Sequence, residues 1–351
     1  MHDTGTTRVL FGRGTVQRVG EELARLGGHR TLLLSTPGRS ALAEQIRSQI
    51  GDSAAGVFAG AVEHTPLEVT ERAIARMHEL NADSIVSVGG GSTTGLGKAL
   101  VFRKRVSHLV LPTTYAGSEV TPVLGETVDG EKATRSDPEL VPEVVIYDVE
   151  LTTTLPWAIT VTSAANAVAH AVEALYGSGR TPGSDRTAAE AINVLGSGLR
   201  ELGSDFGNID ARADLLYGAW LAGTCLANVG MGLHHKLCHT LGGSFGLPHA
   251  PTHAVVLPYA MEFNAAAAPE AMATAAAALG VEKAPSGVQA LIRLLGGPKS
   301  LAELGFRTDH ILHAADLATQ RPYPNPRQIT REGIVDLLQR ATVGTPIQAA
   351  Q

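Results

Sequence analysis

Residues 84–98 read Ser-Ile-Val-Ser-Val-Gly-Gly-Gly-Ser-Thr-Thr-Gly-Leu-Gly-Lys, and this stretch decides how the first half of the chain is built. Ser84 to Val88 is a short apolar run with the look of a buried strand. It runs into Gly89, Gly90, Gly91 and Ser92, and a helix is expected from near Thr93. Glycines at such a turn let backbone approach a phosphate closely, and the first N–H groups of the helix offer it hydrogen bonds. The stretch is not a Walker A loop, since Ser92 stands five before Gly97 and Ala99 follows Lys98. Nor is it GxGxxG. Taken alone, it is also what a tight strand-to-helix turn looks like, and Lys98 also reads as a solvated helix residue.

Outward from this turn the pattern repeats. Thr31–Leu34, residues 56–58, His108–Leu111 and Val144–Tyr147 read as further strands. Residues 40–50 and 66–80 read as helices, the second with Thr65 as N-cap and Pro66 at its first position. Strands alternating with helices predict a parallel sheet covered on both faces. Such sheets bind ligands at strand C-terminal ends. There the next strand continues into LPTTYAGSEVTP, where Thr113, Thr114, Ser118 and Thr121 supply hydroxyls for a nicotinamide ribose or amide, or simply make a polar turn. Tyr115 is placed to face a ligand.

After Asp148 the texture becomes helical. Helices are expected from Thr154-Leu155-Pro156 to about Tyr176, over 186–202, 209–229, 235–242 and 264–279, and from Thr330 onward. The expected organisation is an α/β, Rossmann-like dinucleotide-binding domain over 1–153 and an all-helical substrate and catalytic domain over 154–351. The 351 residues are 44% hydrophobic, enough to fill such cores. The 28 Lys and Arg against 34 Asp and Glu give a net charge of −6, and no basic block stands out. Nucleic acid and anionic membranes are therefore excluded as partners. Two cysteines, Cys225 and Cys238, cannot build a disulfide framework. No apolar run reaches about 18 residues, and the first residues lack a secretory pattern, so a soluble cytoplasmic protein is expected.

Histidines mark the helical half. Asn166 and His170 share a helix face at i,i+4, as do His235 and His239, and His249 follows a Gly/Pro turn. From spacing alone these fit a metal site, an acid–base or anion site, or satisfied core residues. His234, His253, His310 and His313 read as incidental, and Cys238 as a small buried hydrophobe. HExxH and GxSxG are both absent, which disfavours a zincin peptidase and a serine hydrolase.

Together these segments resemble the iron-containing (group III) alcohol dehydrogenases, and within them the maleylacetate-reducing branch. The resemblance runs from VLFGRGT to the last helix. It rests on GGGSTTGLGK, LPTTYAGSEVT, TLPWAITVTSAANAVAHAVEALY and HHKLCHTLGGSFGLPHAPTHAVVLPYAMEFN. It implies the family's α/β-plus-helical architecture, shared with dehydroquinate synthase, and a homodimer. It also implies NADH or NADPH held by Ser35, Thr36, Pro37, Thr65, Gly89, Gly90, Gly91, Ser92, Thr113, Thr114 and Ser118. In metal-dependent members the ligands are an Asp-x-x-x-His pair and two later histidines. These map to Asn166, His170, His235 and His249, with His239 at a further active-site position. Asn166 departs from Asp and Gly95 from the usual Asp. RPYPNPRQIT supplies Tyr323 and Arg327 near the C-terminus.

A neutral amide is a poor ligand for Fe²⁺ or Zn²⁺, so no metal is expected. The activity implied is reduction of a dicarboxylate, maleylacetate, to 3-oxoadipate in aromatic-compound catabolism. Asn166, His170, His235 and His249 would then hold the developing enolate oxygen. His239 or Tyr323 would donate the proton, and Arg327 would clamp a carboxylate. No acid stands in Leu34–Arg39 to exclude a 2′-phosphate, and Arg39 is placed to accept one, so both coenzymes are expected to work. The competing readings are a metal-dependent alcohol or aldehyde oxidoreductase and a non-redox lyase of the same architecture.

Overall fold

The apolar runs of the first half assemble into one six-stranded parallel sheet. In the computed structural model, which describes residues 7–128 and 131–348, the strands are β1 (Arg8–Phe11), β2 (Thr31–Leu34), β3 (Ala54–Phe58), β4 (Ser84–Gly89) and β5 (Ser107–Pro112), then a separate antiparallel hairpin of β6 (Val123–Val128) and β7 (Glu131–Ser136), then β8 (Val144–Tyr147). The sheet order is β1-β8-β5-β4-β2-β3. Every residue of β2, β4 and β8 is buried, as expected of strands covered on both faces. Helices α1 (Val19–Arg25), α2 (Ser40–Ile50), α3 (Leu67–Glu79) and α4 (Gly91–Lys104) connect them.

The chain steps from β2 outward to β3, then crosses back to β4 and continues the other way through β5. The order therefore reverses between β2 and β4. At such a switch point the loops leaving the two strands turn apart and open a crevice. Some elements depart from expectation. β1 was not anticipated from Arg8-Val-Leu-Phe11, an edge strand that starts on a charged residue and buries only Leu10, unlike the fully buried four-residue strands β2 and β8. Pro66, not Thr65, is the N-cap of α3. Thr65 instead sits at φ 45° beside His64 at φ 63°, an uncommon conformation for a β-branched residue.

The chain divides between Leu155 and Pro156 into two compact units. The second contains helices α5 (Trp157–Ala174), α6 (Pro182–Ser204), α7 (Ile209–Val229), α8 (Leu233–Phe245), α9 (His249–Asn264), α10 (Pro269–Leu279), α11 (Ala284–Leu294), α12 (Ile311–Thr319) and α13 (Arg331–Val343), with no strand among its described residues. Helix α5 is buried on all sides from Thr160 to Ala174, which marks it as the central helix of this unit. Helix α9 carries Pro258 inside it and is apolar all round. It therefore lacks the one-sided periodicity that would have announced it. No helix among the described residues is long and apolar enough to cross a membrane.

Candidate active site

The glycine turn works because nothing but hydrogen fits beside it. A Cβ on Gly90 would lie 2.6 Å from Thr114 Oγ1 and 2.8 Å from its Cγ2, so only glycine lets the turn after β4 pack on the turn after β5. Gly91 has only Ser118 Oγ nearby, at 3.8 Å, and is exposed. Helix α4 starts there with no side chain capping it, which leaves its first N–H groups for an anion. Ser35 follows β2 in the adjacent position, and Thr36 and Pro37 begin a short turn of helix beside it. Ser35 Oγ and Ser118 Oγ are buried with no partner among the described residues. Thr65 joins from the turn before α3, since a Cβ on Gly95 would lie 2.7 Å from its Oγ1. An aspartate at position 95 would displace it.

Lys98 is not solvated. Its Nζ donates to the carbonyls of Ser118 and Thr121 at 2.6 Å each and of Val123 at 3.0 Å, tying the Thr-rich loop to α4. Burial pushes its pKa down to about 7, against the opposing charge of Glu119. Glu119 in turn accepts from Tyr147 Oη at 2.8 Å. Tyr115, expected to face a ligand, is fully buried. Arg39 donates to Thr154 Oγ1 at 2.6 Å.

In the helical unit the predicted histidines do converge. The His170 and His235 rings stack at 4.9 Å, and His239 lies edge-on to His235 at 6.1 Å. His249 packs on His253 at 4.2 Å, and His253 reaches His235 at 5.1 Å. Asn166 Oδ1, His170 Nδ1 and His235 Nε2 are buried with no hydrogen-bond partner among the described residues. Burial lowers the His170 pKa well below the ordinary value, helped by His235, His234 and His249, so this ring is neutral. The same causes, burial first, hold His253 neutral, and His234 falls to about 4.

His234 and His253, read from sequence as incidental, belong to this cluster. Both are fully buried, and His234 Nε2 lies 3.0 Å from the carbonyl of His253. Glu173 was not anticipated at all. It lies seven residues after Asn166 and three after His170, on the same face of α5. Its carboxylate accepts from Gly232 N at 3.0 Å, His234 N at 2.7 Å and His235 Nδ1 at 2.5 Å. Burial would raise its pKa, but the charge and hydrogen bond of His235 outweigh this and lower it. The i, i+4, i+7 spacing of Asn166, His170 and Glu173 was the signal that could have found it.

The segment from Tyr323 to Arg327 is fixed by reciprocal side-chain amides. Asn325 Nδ2 donates to Asn264 Oδ1 at 2.7 Å, and Asn264 Nδ2 donates back to Asn325 Oδ1 at 3.1 Å. Tyr323 is partly buried, and its Oη has no partner among the described residues. Burial, then the charge of Glu173, raises its pKa, so it holds its proton. Arg327 is exposed, with its guanidinium 4.2 Å above the Phe263 ring and 3.2 Å from the Phe263 carbonyl.

Two family models match the chain. The iron-containing alcohol dehydrogenase model covers residues 6–149, and the C-terminal model of the Fe-containing alcohol dehydrogenase family covers 160–342. The chain is 56% identical to maleylacetate reductase 1 of Rhodococcus opacus, over 96% of this chain and 94% of that one. It is 48% identical to maleylacetate reductase of Rhizobium sp. strain MTP-10005, over 98% of each. The crystal structure of maleylacetate reductase from Agrobacterium tumefaciens superposes with a TM-score of 0.92 at 50% identity, covering 97% of both chains. With both halves matched by its models, and the same fold throughout, the chain belongs to the iron-containing alcohol dehydrogenase family.

Proposed function

We propose that this protein reduces maleylacetate to 3-oxoadipate with NADH or NADPH, in aromatic-compound catabolism, with no metal-dependent step. The observation that carries the reading is the buried amide-and-imidazole cluster, whose Asn166 Oδ1, His170 Nδ1 and His235 Nε2 lack partners among the described residues. Buried polar atoms left so are costly, roughly 1–3 kcal/mol each, which is the signature of a site that awaits a polar ligand. The identity to maleylacetate reductases over nearly the whole chain supports the substrate.

The donor set does not fit iron. Asn166 brings a neutral amide where the metal-dependent relatives bring a carboxylate, and the buried carboxylate present, Glu173, already accepts three N–H groups. The glycine turn does fit a dinucleotide. Gly89 to Ser92 would take the pyrophosphate at the start of α4, Thr113, Thr114 and Ser118 the nicotinamide side, and Ser35, Thr36, Pro37 and Thr65 the adenosine side. Bound reduced nicotinamide supplies a hydride to the substrate alkene.

The residues of the helical unit then do the rest. As charge develops on the ketone oxygen, Asn166 Nδ2 and the imidazoles of His170 and His249 hold it by hydrogen bonds, with no charge needed on His170, while His235 faces the substrate through Nε2. His239 or Tyr323 delivers a proton to the carbon next to the enolate. Arg327 would clamp a carboxylate through the guanidinium N–H groups that the Phe263 carbonyl does not engage. An Asp at position 166 would face the substrate carboxylates, a repulsion of roughly 4 kcal/mol at ~4 Å and an effective dielectric of ~20. A homodimer in the cytoplasm is part of the same reading, and light scattering on the purified chain tests the dimer. The main test is spectrophotometric: maleylacetate with each coenzyme, after exhaustive chelation. Turnover that disappears and returns only with Fe²⁺ or Zn²⁺ would favour the metal-dependent oxidoreductase instead.

A further inference from the structure

We propose that Glu173 is a positioning residue for His235: its carboxylate fixes Nδ1 of that ring as the protonated nitrogen and thereby presents Nε2 to the substrate. The inference rests on the functional reading above for its kinetic arm only. Glu173 is 1% exposed and stands on α5, one turn beyond His170. A carboxylate only accepts hydrogen bonds, so a ring nitrogen 2.5 Å from Oε2 must bring the hydrogen. That assignment leaves Nε2 as the other nitrogen. It is buried, without a partner among the described residues, and its ring lies at 27° to that of His170.

The same carboxylate also accepts the backbone N–H of Gly232 and of His234, at the first turn of α8. One side chain therefore sets both where the helix carrying His235 begins and how the His235 ring is turned. Rotation of the ring would cost the Nδ1 bond, and a shift of α8 would cost the other two. Carboxylates that orient a metal-ligating imidazole in this way are worth about 10–100-fold, and the same order is expected for an imidazole that faces a substrate. The loss of a carboxylate at position 166 thus leaves a different anion in the cluster. It lies behind a histidine instead of facing the substrate.

The test combines ¹⁵N NMR of the histidine rings with a double-mutant cycle. In the wild-type protein the ring of His235 is expected to show Nδ1 protonated, and in Glu173→Ala a tautomer that is mixed or reversed. An unprotonated Nδ1 in the wild type overturns the proposal even if no variant folds, and so does an unchanged tautomer in Glu173→Ala. In the assay with maleylacetate and NADH, Glu173→Gln is expected to lower kcat by about 10–100-fold with an unchanged dissociation constant for NADH. Glu173→Asp should recover part of that loss. In a His235→Ala background the same Glu173→Gln change is expected to cost less than about twofold, because a residue acting through another has nothing left to act on. Equal costs in both backgrounds would show that Glu173 only anchors α8, and overturn the proposal. A wild-type protein that turns over no maleylacetate counts against the functional reading, and the ring tautomer still decides the role of Glu173.

Discussion

At the C-terminal ends of the central strands, the groups that would meet a ligand are backbone and hydroxyl, and the nearby buried cation is already satisfied: Lys98 donates to the carbonyls of Ser118, Thr121 and Val123. In the helical unit, the groups are imidazoles and an amide, and three of their polar atoms have no partner among the described residues. On the proposed reading the first region would recognise by shape, through positions where a Cβ does not fit, and the second by the placement of polar atoms that an added charge would disturb. A shape-based region should be hurt by added volume and indifferent to added charge elsewhere. A charge-based cluster should respond most to a change that alters no volume at all.

The sharpest break of that contrast is Asn166→Asp, which is nearly isosteric. It should lower kcat/KM for maleylacetate by roughly a thousandfold, following the Coulomb estimate of about 4 kcal/mol. Unchanged kinetics would place Asn166 away from the substrate. His239→Ala comes next. If His239 donates the proton, kcat should fall by about a hundredfold while substrate affinity stays near wild type. A loss confined to KM would return that role to Tyr323.

For the strand ends of the sheet the corresponding change is one of volume. Gly90→Ala forces a Cβ to 2.6 Å from Thr114 Oγ1. The strain of such overpacking, about 1–3 kcal/mol, should weaken NADH binding by roughly tenfold to a hundredfold, read by fluorescence titration. Maleylacetate affinity measured at saturating NADH should not move.

The last test concerns pH. His108 is buried against Ser87 Oγ at 2.9 Å, and burial, then the charge of Lys98, lowers its pKa from 6.5 to about 3. The unfolded chain takes up this proton below about pH 6.5, whereas the folded chain waits until about 3. Stability is thus fully present above the unfolded pKa and is lost as pH falls through that window, by up to about 1.4 kcal/mol per pH unit. Urea midpoints at pH 7 and pH 4.5 measure this. His108→Gln should remove the share of the fall that this ring contributes and leave the share of the buried His170, His234 and His253, and an unchanged fall in the variant would assign the acid sensitivity to those groups alone.

Much of the sheet region was legible because its signals are local. Strand β2 and helix α2 fall where Thr31–Leu34 and Ser40–Ile50 were read, and the turn at Gly89–Gly91 announces itself by composition. The hairpin β6–β7 was not legible, since Val123–Val128 lacks a clean alternation, with Glu126 buried as well as Leu124. Thr65 showed the limit of capping rules. Its hydroxyl suggested an N-cap, but Thr65 sits at φ 45° with its carbonyl accepting from Thr127 N at 3.2 Å. In the helical unit the spacing of Asn166 with His170 and of His235 with His239 carried the cluster. His253 was missed because α9 has no polar face to set it apart, and Glu173 because a glutamate within an apolar helix gives no hint of the three N–H groups it meets in the fold.

The paired carboxamides of Asn264 and Asn325 have a consequence for how this enzyme tolerates its surroundings. A strap fastened by ion pairs loosens when ionic strength rises or when its acid takes up a proton. Two amides facing each other carry no net charge and do not titrate in any physiological range. The stretch bearing Tyr323 should therefore keep its seat in molar sodium chloride and in mildly acid media, where a clamp of arginine and carboxylate would let go.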